Sequence, residues 1–172
     1  MRQRSWLRIR IAVSGNRNCK KQRKVLHSFG NGTDGEYPGA SLIDVKGTLY
    51  GTTELGGTVG EGTVLSVNPK TSAETVVYSF QRGTDGQYPT ASLIDAKAAL
   101  YGTTDDGGTY GDGTVFSVNP KTGAEIVLYS FIGGSDGQFP DANLLDMKGT
   151  LYGTTESGGT YGAGTVFALM RP

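Results

Sequence analysis

Cysteine, histidine and tryptophan each occur once in 172 residues. The single cysteine, Cys19, excludes an intrachain disulfide. The single histidine, His27, leaves no His-rich zinc motif and no Cys–His nucleophile pair within the repeated part of the chain. No apolar run approaches the roughly 18 residues that a membrane helix needs. Residues 1–13 are basic, but their apolar core is too broken for a secretory signal, so none is expected. No Walker loop, nucleophile elbow or dinucleotide fingerprint in a strand–turn–helix setting is present, and no cofactor is expected.

Charge is balanced overall but split along the chain. Residues 1–24 carry nine Lys or Arg and no acid, whereas residues 25–172 carry seven basic and sixteen acidic residues. A basic tail over 1–23, expected to be disordered, therefore precedes an acidic body over 24–172. An acidic body argues against nucleic acid as a partner of the repeats, because phosphate contacts need local positive charge.

Glycine is what the chain has in excess: 28 residues, about one in six, against a usual share of roughly 7%. That composition favours short strands and tight turns over helices. The chain also repeats itself with a period of 51 residues. Tyr50, Tyr101 and Tyr152 keep the spacing, as do Phe29, Phe80 and Phe131, and Pro38, Pro89 and Pro140. Residues 27–77 and 78–128 share 35 identities in 51, and residues 78–116 and 129–167 share 26 in 39. The units are thus about 27–77, 78–128 and 129–169.

Each unit reads as four strands. In the second these lie near Ser92–Ala96, Leu100–Thr104, Thr114–Asn119 and Glu125–Phe131, all β-branched or aromatic and none with a helical period. Asn119-Pro-Lys-Thr-Gly123 reads as a hairpin turn and residues 105–113 as a longer loop between strands two and three. Four antiparallel strands repeated every 40–50 residues predict an all-β chain of propeller blades. By the period, residues 24–29 read as an isolated fourth strand. Three blades are fewer than the usual 4–8, so the expectation is an open arc of a partial β-propeller that exposes its terminal blade faces and pairs as a homodimer or aggregates. The alternative is a β-trefoil-like fold, which would close on itself as a monomer and bind carbohydrate.

The strings Leu100-Tyr-Gly-Thr-Thr104, Gly107-Gly-Thr-Tyr-Gly111, Gly113-Thr-Val-Phe116, Tyr129-Ser-Phe131 and Ser135-Asp-Gly-Gln-Phe-Pro140 resemble the Gloeo/Verruco (GloVer) tandem repeat, over residues 25 to about 169. The resemblance implies propeller-like repeats of unknown activity, in bacterial proteins that are often exported or surface-anchored. It implies no catalytic residue.

Few groups remain as candidates for chemistry. His27 stands where the other units have Tyr78 and Tyr129, so a packing role is expected. Asp34, Asp85 and Asp136 each precede Gly in the connecting turns. They read either as a carboxylate ring for a hard cation or as Asx-turns, and the turn is favoured because one acid per unit is thin for Ca²⁺. Asp44, Asp95 and Asp146 are expected to cap the turn after strand one. The candidate binding-loop residues are Tyr37, Tyr88 and Phe139, which precede Pro, and Glu54, Asp105 and Glu156, which open the loop after strand two. A glycosidase pair among the acids would need two carboxylates in distinct environments, which three near-equivalent copies do not offer. The chain therefore reads as a non-catalytic repeat scaffold that binds a ligand or protein not named by its sequence.

Overall fold

A computed structural model describes residues 23–30 and 32–172. The basic tail, apart from Arg23, lies outside the described residues. Eleven strands form three separate antiparallel sheets. The first contains β1 (Ile43–Val45), β2 (Thr48–Thr53), β3 (Thr63–Val67) and β4 (Glu74–Ser79), in that spatial order. The second repeats it with β5 (Ile94–Ala96), β6 (Ala99–Thr104), β7 (Thr114–Val118) and β8 (Glu125–Ser130). The third has β9 (Leu145–Met147), β10 (Thr150–Thr155) and β11 (Thr165–Met170). A meander whose spatial order equals its chain order is a propeller blade, and the blades form an open array without closure. Three self-contained meanders are not the shared barrel of a trefoil, so that alternative is excluded.

Two details differ from the sequence reading. The connecting turns contain one-turn 3₁₀ segments, Gly83–Asp85 and Gly134–Asp136. Residues 23–30 form no strand, although the period assigns 24–29 to one. A strand exists only with a partner for its backbone, and none lies beside this segment among the described residues.

The hydrophobic core lies between blades, not inside them. Val64, Phe80, Leu93, Leu100, Phe116 and Val118 join blades one and two. Tyr101, Val115, Phe131, Leu144 and Leu151 do the same for blades two and three, with Phe167 and Leu169 packed against them. At each junction a phenylalanine after strand four meets one on strand three of the next blade, edge to face: Phe80–Phe116 and Phe131–Phe167, both at 5.1 Å. Such pairs add about 0.5–1.5 kcal/mol beyond area burial. The Gly of Leu-Tyr-Gly-Thr-Thr makes room for this ring: a Cβ on Gly102 would lie 2.8 Å from Phe116 Cζ, and one on Gly153 2.5 Å from Phe167 Cζ.

Polar groups repeat the junction as well. The Ser41 amide donates to Ser92 Oγ at 2.9 Å, and the Ser92 amide donates to Asn143 Oδ1 at 2.7 Å, one unit further on. The backbone bonds Phe80 N to Gly62 O and Phe131 N to Gly113 O, 3.1 and 3.0 Å, also recur. The two junctions therefore share one geometry. In each blade a threonine pair, buried in blades one and two and half-buried in blade three, closes the end of strands two and three: Thr53–Thr63, Thr104–Thr114 and Thr155–Thr165, at 2.8, 2.7 and 2.9 Å.

Candidate functional site

The connecting turn and the loop after strand two are held together in every blade by the same backbone bonds. Glu54 N donates to Tyr37 O at 3.2 Å, Asp105 N to Tyr88 O at 3.0 Å, and Glu156 N to Phe139 O at 2.9 Å. The backbones of the six candidate binding-loop residues are thus joined in three pairs, one aromatic residue and one acid per blade. The ring residues share a left-handed backbone, with φ of 55°, 57° and 58° at Tyr37, Tyr88 and Phe139. A left-handed aromatic residue is uncommon, and at Tyr88 and Phe139 the conformation is fixed by bonds to both the amide and the carbonyl. Tyr88 N and Phe139 N donate to Glu61 O and Asp112 O of the preceding blade, at 3.0 and 3.1 Å. Tyr37 is exposed, while Tyr88 and Phe139 are half-buried at the junctions.

Asp105 carries the pull of acids in the neighbouring blades. Burial raises the Asp105 carboxyl to about 6, with further contributions from the charges of Asp106, Asp141, Glu156 and Glu54. Glu54 and Glu156 come from the neighbouring blades on either side and are exposed. A field that resists a further negative charge favours a cation at the same place.

Asp34, Asp85 and Asp136 have a different use. Asp85 accepts from the Tyr78 hydroxyl at 2.5 Å and from the Gln81 amide at 3.0 Å. Asp136 accepts from the Tyr129 hydroxyl at 2.9 Å and from the Ile132 amide at 3.1 Å. Asp34 lies 3.0 Å from His27 Nε2, so His27 takes the place of the tyrosine. These acids tie the fourth-strand ring to the turn seven residues later. For Asp85 and Asp136 the backbone amides reached lie four residues upstream. Among the described residues no three His, Cys, Asp or Glu side chains gather to hold a metal. The following glycine is required by space, since a Cβ on Gly86 would lie 2.5 Å from Thr104 Oγ1.

The other singled-out positions are structural too. Gly47 N donates to Asp44 Oδ1 at 2.7 Å and Gly149 N to Asp146 Oδ1 at 3.1 Å, the expected caps. No equivalent bond joins Ala98 to Asp95 among the described residues. The strand-two tyrosines grade from buried Tyr101 through half-buried Tyr50 to Tyr152, 36% exposed on the last blade.

Sequence reasoning missed one ion pair and one like-charge influence. Glu61 is fully buried and accepts from Arg82 Nε at 2.6 Å, and its charge pushes the Tyr88 hydroxyl up from its usual range. Glu125, on the last strand of blade two, faces Asp85 across the junction; burial first and Asp85 second raise it to about 7. The signal for the first was a break in the repeat, since Glu61 and Arg82 become Asp112 and Gly133 one unit later.

The family model of the Gloeobacter/Verrucomicrobia repeat matches residues 16–171. A comparison with curated proteins finds no match. Among solved structures, a chain of the "Crystal structure of Nidogen/Laminin Complex" is similar at 17% identity and a TM-score of 0.47. The similarity covers 74% of this chain and 44% of that one. The blade assignment rests on strand order and register rather than on this likeness. No helix among the described residues is long and apolar enough to cross a membrane.

Proposed function

Since the chain belongs to the Gloeobacter/Verrucomicrobia repeat family, we propose that it is a non-catalytic repeat scaffold whose working surface is the row of ring–acid pairs Tyr37–Glu54, Tyr88–Asp105 and Phe139–Glu156. The observation that carries this reading is the backbone bond between connecting turn and loop that recurs in every blade and sets Glu54, Asp105 and Glu156 at one repeated position. Acids set beside aromatic residues suit a basic partner, such as a Lys- or Arg-containing segment, through charge and cation–π attraction. Repetition at a fixed spacing lets one extended partner engage several blades at once.

Several of the remaining acids make structural contacts. Asp34, Asp85 and Asp136 bind strand-four rings, Asp44 and Asp146 cap turns, and Glu61 pairs with Arg82. A titration with Arg-rich and Lys-rich peptides tests the reading, with Glu54→Gln, Asp105→Asn and Glu156→Gln combined as the variant. Rim charges contribute about 0.2–1 kcal/mol each, so the triple variant should bind about tenfold more weakly, and wild-type binding should weaken with salt. Peptide binding that ignores the triple variant would refute it. So would turnover of a hydrolase substrate that the same variant abolishes.

A further inference from the structure

Two features of the chain complement one another but do not meet within it. The first is an unpaired edge. β11 pairs with β10 along one side and has no strand on the other among the described residues. Its counterparts β3 and β7 are paired on both sides. The second is a segment with the side-chain setting of a fourth strand but no sheet. Residues 24–29, Lys-Val-Leu-His-Ser-Phe, correspond by the 51-residue period to 75–80 and 126–131, which contain most of β4 and β8. Val25, Leu26, His27 and Phe29 already lie against blade one, lining with Leu49 and Leu65 a largely apolar cavity of about 370 Å³. His27 holds Asp34 as Tyr78 holds Asp85. Its ring also meets Phe29 edge to face at 4.6 Å, as Tyr78 meets Phe80 at 5.2 Å.

The faces are complementary as well. On blade three, Leu145, Met147, Tyr152 and Val166 form an exposed apolar face. The same face of blades one and two is covered by the next blade: Val64 and Val115 are 0% exposed, whereas Val166 is 81% exposed. Polar Ser66 and Ser117 become Ala168 on this face. The surface that covers it elsewhere, Leu93 and Leu100 of the following blade, has its counterpart in Leu42 and Leu49 of blade one, and Leu42 is exposed.

We propose that two copies of this chain associate head to tail, residues 24–29 of each pairing antiparallel with β11 of the other as its fourth strand. The junction already formed twice inside the chain is then formed twice more between chains, and a two-fold axis relates the new pair. Two three-blade chains give a ring of about six blades, inside the usual range of 4–8, whereas one chain closed on itself falls below it. The repeat also sets the register. Val64 pairs with Tyr78 and Val115 with Tyr129, so Val166 pairs with His27 of the partner subunit. The free edge and the open apolar face, both liabilities for uncontrolled association, are covered by the same contact.

Light scattering of the full chain after gel filtration should give twice the 18.1 kDa monomer mass. A monomer, or polymers without a limiting size, would overturn the proposal. Val166→Lys and Leu42→Lys alter side chains exposed in the single chain, so each should yield a folded monomer by circular dichroism; a persistent dimer would count against it. The register is read independently by oxidising His27→Cys/Val166→Cys in a Cys19→Ser background. A disulfide-linked dimer on a non-reducing gel is expected. An intramolecular link would show self-closure, and no link would refute the pairing.

Discussion

The hairpin between strands one and two contains a natural experiment. In all three blades two residues connect the strands, and both have positive φ: Lys46 and Gly47 at 53° and 84°, Lys97 and Ala98 at 47° and 63°, Lys148 and Gly149 at 54° and 92°. This is the type I′ turn that suits the twist of a hairpin and favours glycine at its second position. Blade two alone places a Cβ there. The left-handed conformation costs an ordinary L-residue about 1–2 kcal/mol. Glycine removes that cost but adds unfolded-state entropy worth about 0.4–1 kcal/mol. Recovery of the Asp95 cap, present at Asp44 and Asp146, would contribute about 0.5–1 kcal/mol. Ala98→Gly should therefore stabilise the protein by about 1 kcal/mol, raising Tm by about 2–4 °C, with an unchanged urea m-value. The reverse changes, Gly47→Ala and Gly149→Ala, should destabilise by a similar amount. An added Cβ at either meets nothing within 4 Å, so only the backbone conformation and the cap are at stake. A neutral or destabilising Ala98→Gly at constant m would refute the argument, because no lost contact could account for it.

Three further outcomes follow from the charged and repeated contacts. Arg82→Ala strands the carboxylate of Glu61, which is 1% exposed; it should cost about 1–3 kcal/mol in urea unfolding, and adding Glu61→Ala should restore part of that loss. Glu125 holds in the fold a proton that the unfolded chain releases near 4.5, so its contribution is present below that pH and is lost as pH rises to about 7. Glu125→Gln should flatten this fall in a series of melts from pH 4 to 8, and an unchanged slope would exclude Glu125 as its source. His27→Tyr should leave stability equal or slightly higher, since Tyr78 and Tyr129 already donate to the matching aspartates; a loss of several kcal/mol on thermal unfolding would show a role peculiar to His27.

The amino-acid sequence by itself determined the period, the four-strand unit and the turn chemistry. These are local: a β-branched run alternates whatever surrounds it, and Asp44-Val-Lys-Gly47 turns for reasons contained within four residues. The assignment of Glu54, Asp105, Glu156, Tyr37, Tyr88 and Phe139 to loops was legible for the same reason. That their backbones join in pairs was not, because the bond from Asp105 N to Tyr88 O crosses 17 positions and forms only when a blade's turn folds back over its own loop. Burial was likewise decided between blades. Val64, Val115 and Val166 sit in the same strand of near-identical units, yet the first two are sealed and the third is open, since what covers each comes from the following unit. The same holds for residues 24–29. Their pattern is that of a fourth strand, but a strand is a relation between two backbones, and only the tertiary structure supplies or withholds the second.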